Sequence, residues 1–168
     1  METSNPTNNL SGNVTTTTND WTLVQEVSIS YKNTIPSSQR PLVCGSLQVA
    51  DLLRHLWNSD EMEVRESFKL LLLNNANRVL GIYHASEGGT TGTIVDVRLL
   101  LTVALKANAC KFIVAVHNHP SANLKPSSAD IRLTTKLKDA AALLDITLLD
   151  HIILSTESYY SFADEGLL

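Results

Sequence analysis

"FIVAVHNHPSANLKPSSAD", Phe112 to Asp130, joins two kinds of secondary structure and holds a cluster of polar residues between them. Phe112–Val116 is an unbroken apolar run, the composition expected of a strand buried on both faces of a sheet. Ser127-x-x-Asp130 has the form of a helix-capping arrangement. Ile131, Thr134, Leu137, Ala141 and Leu144 follow at the spacing of one helix face, which predicts an inward-facing row on a helix that opens at Ser127. "ITLLDHIILS" (Ile146–Ser155) and "YYSFA" (Tyr159–Ala163) read as the last strands. Helices lying between strands predict an α/β fold, a sheet covered by helices.

Upstream, the same alternation continues. Phe68–Leu73 and Val79–His84 are strand candidates, and "NNAN" (Asn74–Asn77) suits a hairpin turn between them. "SEGGTTG" (Ser86–Gly92) reads as a flexible loop. Asp96 can cap a helix that carries Val97, Leu100, Leu101, Ala104 and Leu105 on one face. Ser46 has the character of an N-cap before Val49, Leu52, Leu53 and Leu56. "TIPSSQRP" (Thr34–Pro41) is a connector, and the partial alternation of Trp21–Ser30 is compatible with a short strand. The division is therefore a polar, disordered tail over 1–20, an N-terminal segment and linker over 21–45, and a folded domain over 46–168.

Bulk properties bound the function. A chain of 168 residues, 43% apolar and 18% charged, suits one globular domain with a real core. A net charge of −4 without a basic stripe is not that of a nucleic-acid binder, so DNA is expected to bind weakly at most. No apolar run reaches the roughly 18 residues of a membrane span, and no signal peptide is visible at Met1. Cys44 and Cys110 form no metal or redox motif and are expected to be reduced thiols, with Cys110 buried. The expected setting is cytoplasmic. Nothing in the sequence defines an oligomeric state.

Residues i and i+2 of an extended chain point to the same side, so His117 and His119 should project together while Asn118 points away. Pro120 favours an extended conformation at His119 and preserves that geometry. The end of a central strand is where α/β sheets place ligands. The Ser127-x-x-Asp130 turn serves as a cap, and a helix N-terminus also favours an ionised carboxylate, which a metal ligand must be. Two histidines and one aspartate suit Zn²⁺ with a fourth position left for water. A hydrolytic site also needs a general base. Glu61, Glu63 and Glu66 precede the first strand, and Glu66 shares the parity of Phe68, Leu70 and Leu72. Because Leu71 and Leu73 make the other face apolar too, phase alone leaves Glu66 open between a base and an exposed strand start.

The pattern His117-x-His119, seven residues, Ser127-x-x-Asp130 is similar to the JAMM motif of the JAB1/MPN metalloprotease superfamily. "HNHPSANLKPSSAD", "LLDHIILS", "YYSFADEG" and "SEGGTTGTIVDVR" resemble its RadC family, over roughly Ser46 to Leu168. The resemblance implies a JAB1/MPN fold, a cytidine deaminase-like mixed sheet flanked by helices. It implies one zinc ion per chain, ligated by His117, His119 and Asp130, with Ser127 stabilising an oxyanion. The family's upstream glutamate stands in an E-x-F context, which "RESFKLL" matches, so the resemblance makes Glu66 the preferred base. Ala122 stands where the family usually has glycine, and Asp96-Val97 where many members carry a proline before the arginine, here Arg98. These departures touch loop shape and substrate fit and remove no ligand. Longer RadC members, named for DNA repair, carry a helix-hairpin-helix region. The 45 residues before Ser46 show no such pattern, so this chain reads as a short form.

The leading expectation is a zinc-dependent hydrolase acting on a peptide or isopeptide bond of a peptide or protein substrate, with Glu66 as general base to a metal-activated water. The alternatives are a non-catalytic protein-interaction module and a DNA-repair-associated accessory protein. A zinc nucleobase deaminase would need H-x-E with P-C-x-x-C, and neither is present. Asp150-His151 could support the site through a hydrogen bond to a ligand, but reads rather as a polar pair at a strand turn with locally satisfied bonds. His84 and His55 read as surface or packing residues.

Overall fold

A computed structural model describes residues 31–88 and 95–168, apart from the side chains of residues 113–116. The expected tail over 1–20, the Trp21–Ser30 strand and most of the Ser86–Gly92 loop lie outside the described residues.

The described chain forms one mixed sheet in the order β2-β1-β3-β4-β5. β1 (Ser67–Leu73) and β2 (Val79–Glu87) make an antiparallel hairpin, closed by the predicted asparagine turn with Asn77 at φ 54. Asparagine is among the few non-glycine residues that accept that left-handed conformation. β2 runs past His84 to Glu87, so Ser86 and Glu87 belong to a strand where the sequence suggested a loop. β3 (Lys111–Asn118) pairs antiparallel with β1 and parallel with β4 (Thr147–Leu154), and β5 (Tyr159–Ser161) closes the edge.

Among the described residues, three α-helices cover the two faces. Alternation along β1 sends Leu71 and Leu73 toward α1 (Ser46–Leu56), where they meet Val49, Ala50, Leu53 and Trp57. Phe68, Leu70 and Leu72 go to the other face, against α2 (Val97–Lys106) and α3 (Ser128–Ala142). That alternation between two apolar layers is why β1 is buried along its whole length and reads as unpatterned.

Several local expectations are corrected. Gly45, not Ser46, is the N-cap of α1, and the Ser46 hydroxyl instead donates to Asp164 at 2.5 Å. On α2 the buried face is Val97, Leu100 and Ala104, while Leu105 is exposed. On α3 the buried row is Asp130, Thr134, Leu137 and Ala141; Ile131 faces outward, and Leu144 lies past the end of the helix and is exposed. The apolar character of Ile131 and Leu144 biased the predicted face. The true row contains two polar residues, and those residues belong to the site. Cys110 is half-buried rather than buried, Cys44 is exposed, and both are free thiols. Asp96 caps α2 as expected, its carboxylate accepting from the Arg98 amide at 2.9 Å.

Candidate metal centre

His117 lies at the C-terminal end of β3, opposite Phe68 of β1. As expected, His117 and His119 converge, with ring centres 4.7 Å apart. Asn118 points away and is fully buried. Its carbonyl accepts from the Ser67 amide at 2.9 Å, and its amide group donates to the Met62 and Arg65 carbonyls. Asn118 therefore clamps the segment that enters β1, the one carrying Glu66, against the strand that carries the histidines.

Asp130 arrives from α3. Ser127 is the N-cap, and the predicted capping is a complete reciprocal box: the Ser127 hydroxyl accepts from the Asp130 amide at 3.2 Å, and Asp130 Oδ2 accepts from the Ser127 amide at 2.7 Å. The box occupies Oδ2 and leaves Oδ1 facing His117 Nε2 at 3.0 Å. Burial by itself would raise the Asp130 pKa. The contacts from His117 and Ser127 outweigh it and hold the carboxyl well below the ordinary carboxylate range. The group is ionised at neutral pH, as a ligand must be.

Among the described residues, His117, His119 and Asp130 bring one donor atom each to within 4.8 Å of one another. His117 Nε2 is buried and, although near Asp130 Oδ1, has no aligned hydrogen-bond partner among the described residues. A buried nitrogen with no partner beside a buried carboxylate is costly unless something fills the point on which both converge. His119 Nδ1 donates to the Asn123 carbonyl, which leaves Nε2 as its free lone pair. Two imidazole nitrogens and one carboxylate oxygen suit zinc with an open position.

The three upstream glutamates separate by their partners. Glu61 is ion-paired with Arg65, which also reaches Glu87 at 3.2 Å. Glu63 is exposed and accepts from Thr156 at 3.4 Å. Glu66 is half-buried, immediately before β1, and its carboxylate makes no hydrogen bond or ion pair among the described residues. Ser127 Oγ is committed to the cap, and the residue is exposed.

His151 departs from its reading as part of a locally satisfied pair at a strand turn. It lies inside β4, fully buried, with its ring centre 5.5 Å from that of His117. Its Nδ1 contacts Thr134 Oγ1 at 2.6 Å, and its Nε2 has no partner among the described residues. Burial, reinforced by His117, lowers its pKa to about 3, so the ring is neutral. Asp150 does fit the expectation of satisfied bonds. His84 is exposed on β2, and His55 is exposed on α1 with Nδ1 donating to the Asp51 carbonyl at 2.7 Å. Thr134, Asn118 and Asn123 went unnoticed in the sequence. Thr134 could have been found as a hydroxyl in the helical row that starts at Asp130.

A helix-covered mixed sheet with its polar cluster where β3 hands over to α3 is the architecture of a JAB/MPN domain. The comparison with known families narrows this: residues 44–167 match the family model of the RadC-like JAB domain, and the chain belongs to that family. A UPF0758 protein of Flavobacterium johnsoniae is 47% identical over 102 residues, covering 61% of this chain and 44% of the relative. One from Porphyromonas gingivalis is 43% identical over 105 residues, covering 62% and 46%. One from Burkholderia mallei is 41% identical over 128 residues, covering 76% and 45%. The chain spans about half the length of the curated relatives it matches. Among the described residues, no helix is long and apolar enough to cross a membrane.

Proposed function

We propose that the protein is a zinc-dependent hydrolase of JAMM type that cleaves a peptide or isopeptide bond in a peptide or protein substrate. The observation that carries this reading is the convergence of His117, His119 and Asp130 around a buried, unpartnered His117 Nε2. These three residues would hold one zinc ion, which when bound supplies Lewis-acid activation of water and of a carbonyl. Glu66 is the general base: its carboxylate has no competing partner among the described residues, and Asn118 ties its segment to the histidine strand. It takes a proton from the attacking water and returns it to the departing amine. Ser127, at the start of α3, would offer a hydroxyl and a helix N-terminus to the negative charge that develops on the substrate oxygen.

Elemental analysis of protein produced with zinc available should give one zinc per chain, lost in the His117→Ala/His119→Ala double variant. Stoichiometric zinc surviving in that variant would sink the ligand assignment. Glu66→Gln should keep the zinc and lose about 10²–10⁴-fold in rate against peptide and isopeptide substrates. If that variant stays active while Glu61→Gln or Glu63→Gln abolishes turnover, the base is assigned to the wrong residue. If the zinc-loaded protein cleaves nothing across a broad panel, the hydrolase reading itself falls.

A further inference from the structure

We infer that His151 is a positioning residue for the metal centre: its Nε2 accepts the hydrogen bond from His117 Nδ1–H and so holds the His117 ring with Nε2 aimed at the ion. This rests on the zinc reading above and adds a residue to it.

The geometry assigns the protons. Thr134 Oγ1 has a single hydrogen and touches two groups, the Asp130 carbonyl at 2.7 Å and His151 Nδ1 at 2.6 Å. A carbonyl can only accept, so the hydroxyl proton belongs to the Asp130 contact. The second contact must then be donated by His151 Nδ1–H. A neutral imidazole has one N–H, so Nε2 carries a lone pair. That lone pair is buried and has no partner among the described residues, which costs free energy unless a donor reaches it.

His117 has the complementary need. When its Nε2 ligates a metal, its Nδ1 carries the proton, and ligating histidines donate that proton to an outer acceptor. His119 already has one, the Asn123 carbonyl. The imidazole of His151 is the ring beside His117, with centres 5.5 Å apart, and its Nε2 is the acceptor assigned to it. Two imidazoles joined by an N–H···N bond have ring centres about 5 Å apart, given a nitrogen separation of about 3 Å. The observed separation of 5.5 Å is slightly longer than that, with the rings inclined at 56°. His151 itself is held in place: Phe162 stacks on it at 4.5 Å and 12°, and Phe68 meets it edge-on at 6.0 Å. The path from Asp130 through Thr134 and His151 to His117 thus joins two ligands that come from different elements, α3 and β3.

The test is zinc affinity by chelator competition on the full chain, at temperatures well below each variant's unfolding midpoint, with nitrogen-15 spectra of the histidine rings. His151→Phe, which keeps an aromatic ring but removes the acceptor, should weaken zinc binding about 10–100-fold. His151→Gln, whose amide oxygen can reach the position of Nε2, should recover most of that loss. In the zinc-loaded wild type, His117 Nδ1–H should appear as a slowly exchanging proton with scalar coupling to His151 Nε2. Unchanged zinc affinity in His151→Phe, equal losses in the Phe and Gln variants, or absence of the coupling in zinc-loaded protein would each overturn the inference while leaving the zinc site standing. A wild-type protein that binds no zinc would remove the zinc reading and this inference together.

Discussion

Asp150 and His151 are adjacent on β4, are 5% and 0% exposed, and face opposite layers of the molecule. Asp150 lies on the α1 side, near Val43 and Val49, and His151 lies on the α3 side, against Thr134. Asp150 is saturated: Oδ2 accepts from the Ser161 hydroxyl at 2.6 Å, and Oδ1 from the amides of Ala163 and His151 at 3.0 and 2.7 Å. His151 has one nitrogen bonded and one without a partner among the described residues. Burial raises the Asp150 pKa, opposed by those three donors, and burial lowers that of His151. Two equally buried neighbours thus differ in completeness. A polar group whose bonds close within the protein organises the fold, here the β4–β5 turn. One whose bonds do not close points to a further participant.

The sharpest way to break this contrast is Asp150→Ala. It leaves one hydroxyl and two amides without their acceptor, and each buried donor so stranded costs about 1–3 kcal/mol. A loss of about 2–4 kcal/mol in urea unfolding is expected, allowing for partial relaxation toward solvent. Zinc affinity, measured on the folded fraction, should move by less than about threefold, because among the described residues no bond of Asp150 runs to His117, His119 or Asp130. If the variant lost zinc as strongly as His151→Phe while keeping its stability, the division of labour along β4 would be wrong.

This contrast also marks how far the sequence could be read. The β3–α3 unit was legible because each signal had one cause: an apolar run for a doubly covered strand, i and i+2 for the histidine pair, Ser-x-x-Asp for the cap. The phase of α3 was misread because Ile131 and Leu144 are apolar and exposed, whereas the buried row starts with Asp130 and Thr134. Periodicity weighs residues by hydrophobicity, so a helix that presents polar groups to a site is read off-phase. His151 was visible as a residue and invisible as a role. Its place depends on the parallel pairing of β3 with β4, which sets Val114 beside His151 and carries the next layers toward His117. The pairing of Phe68 with His117, which brings the Glu66 segment to the site, is a tertiary fact of the same kind.

Between the saturated and the open case stands Asp130, one oxygen of which closes the cap while the other faces His117. Ser127→Ala separates the two duties. It removes the hydroxyl that accepts from the Asp130 amide and should cost about 1 kcal/mol of stability. It leaves Oδ1 and its neighbours in place, so zinc should still bind at one per chain. Chemical unfolding and metal analysis on the same sample check both halves. Loss of zinc with stability intact would mean that the serine acts on the ligand rather than on the helix.

The smallest expected effect concerns the loop that completes the other histidine. Ala122 has φ 56, in the left-handed region, and its amide donates to the His119 carbonyl at 2.8 Å. The next residue, Asn123, provides the carbonyl that receives His119 Nδ1–H. A left-handed alanine costs roughly 1–2 kcal/mol through its Cβ, and glycine avoids this while losing more chain entropy on folding. Ala122→Gly should therefore stabilise the protein by about 0.5–1 kcal/mol, a net gain of the size seen when backbone preference alone changes. Zinc affinity should be unchanged or slightly higher, since the turn that presents Asn123 relaxes without losing a bond. His119 would then have a relaxed main-chain acceptor, in contrast to the buried side chain that serves His117. A destabilised Ala122→Gly variant would show that the Ala122 methyl makes a contact worth more than the strain. A stabilised variant with weaker zinc binding would show that the strained turn itself presses the Asn123 carbonyl onto His119.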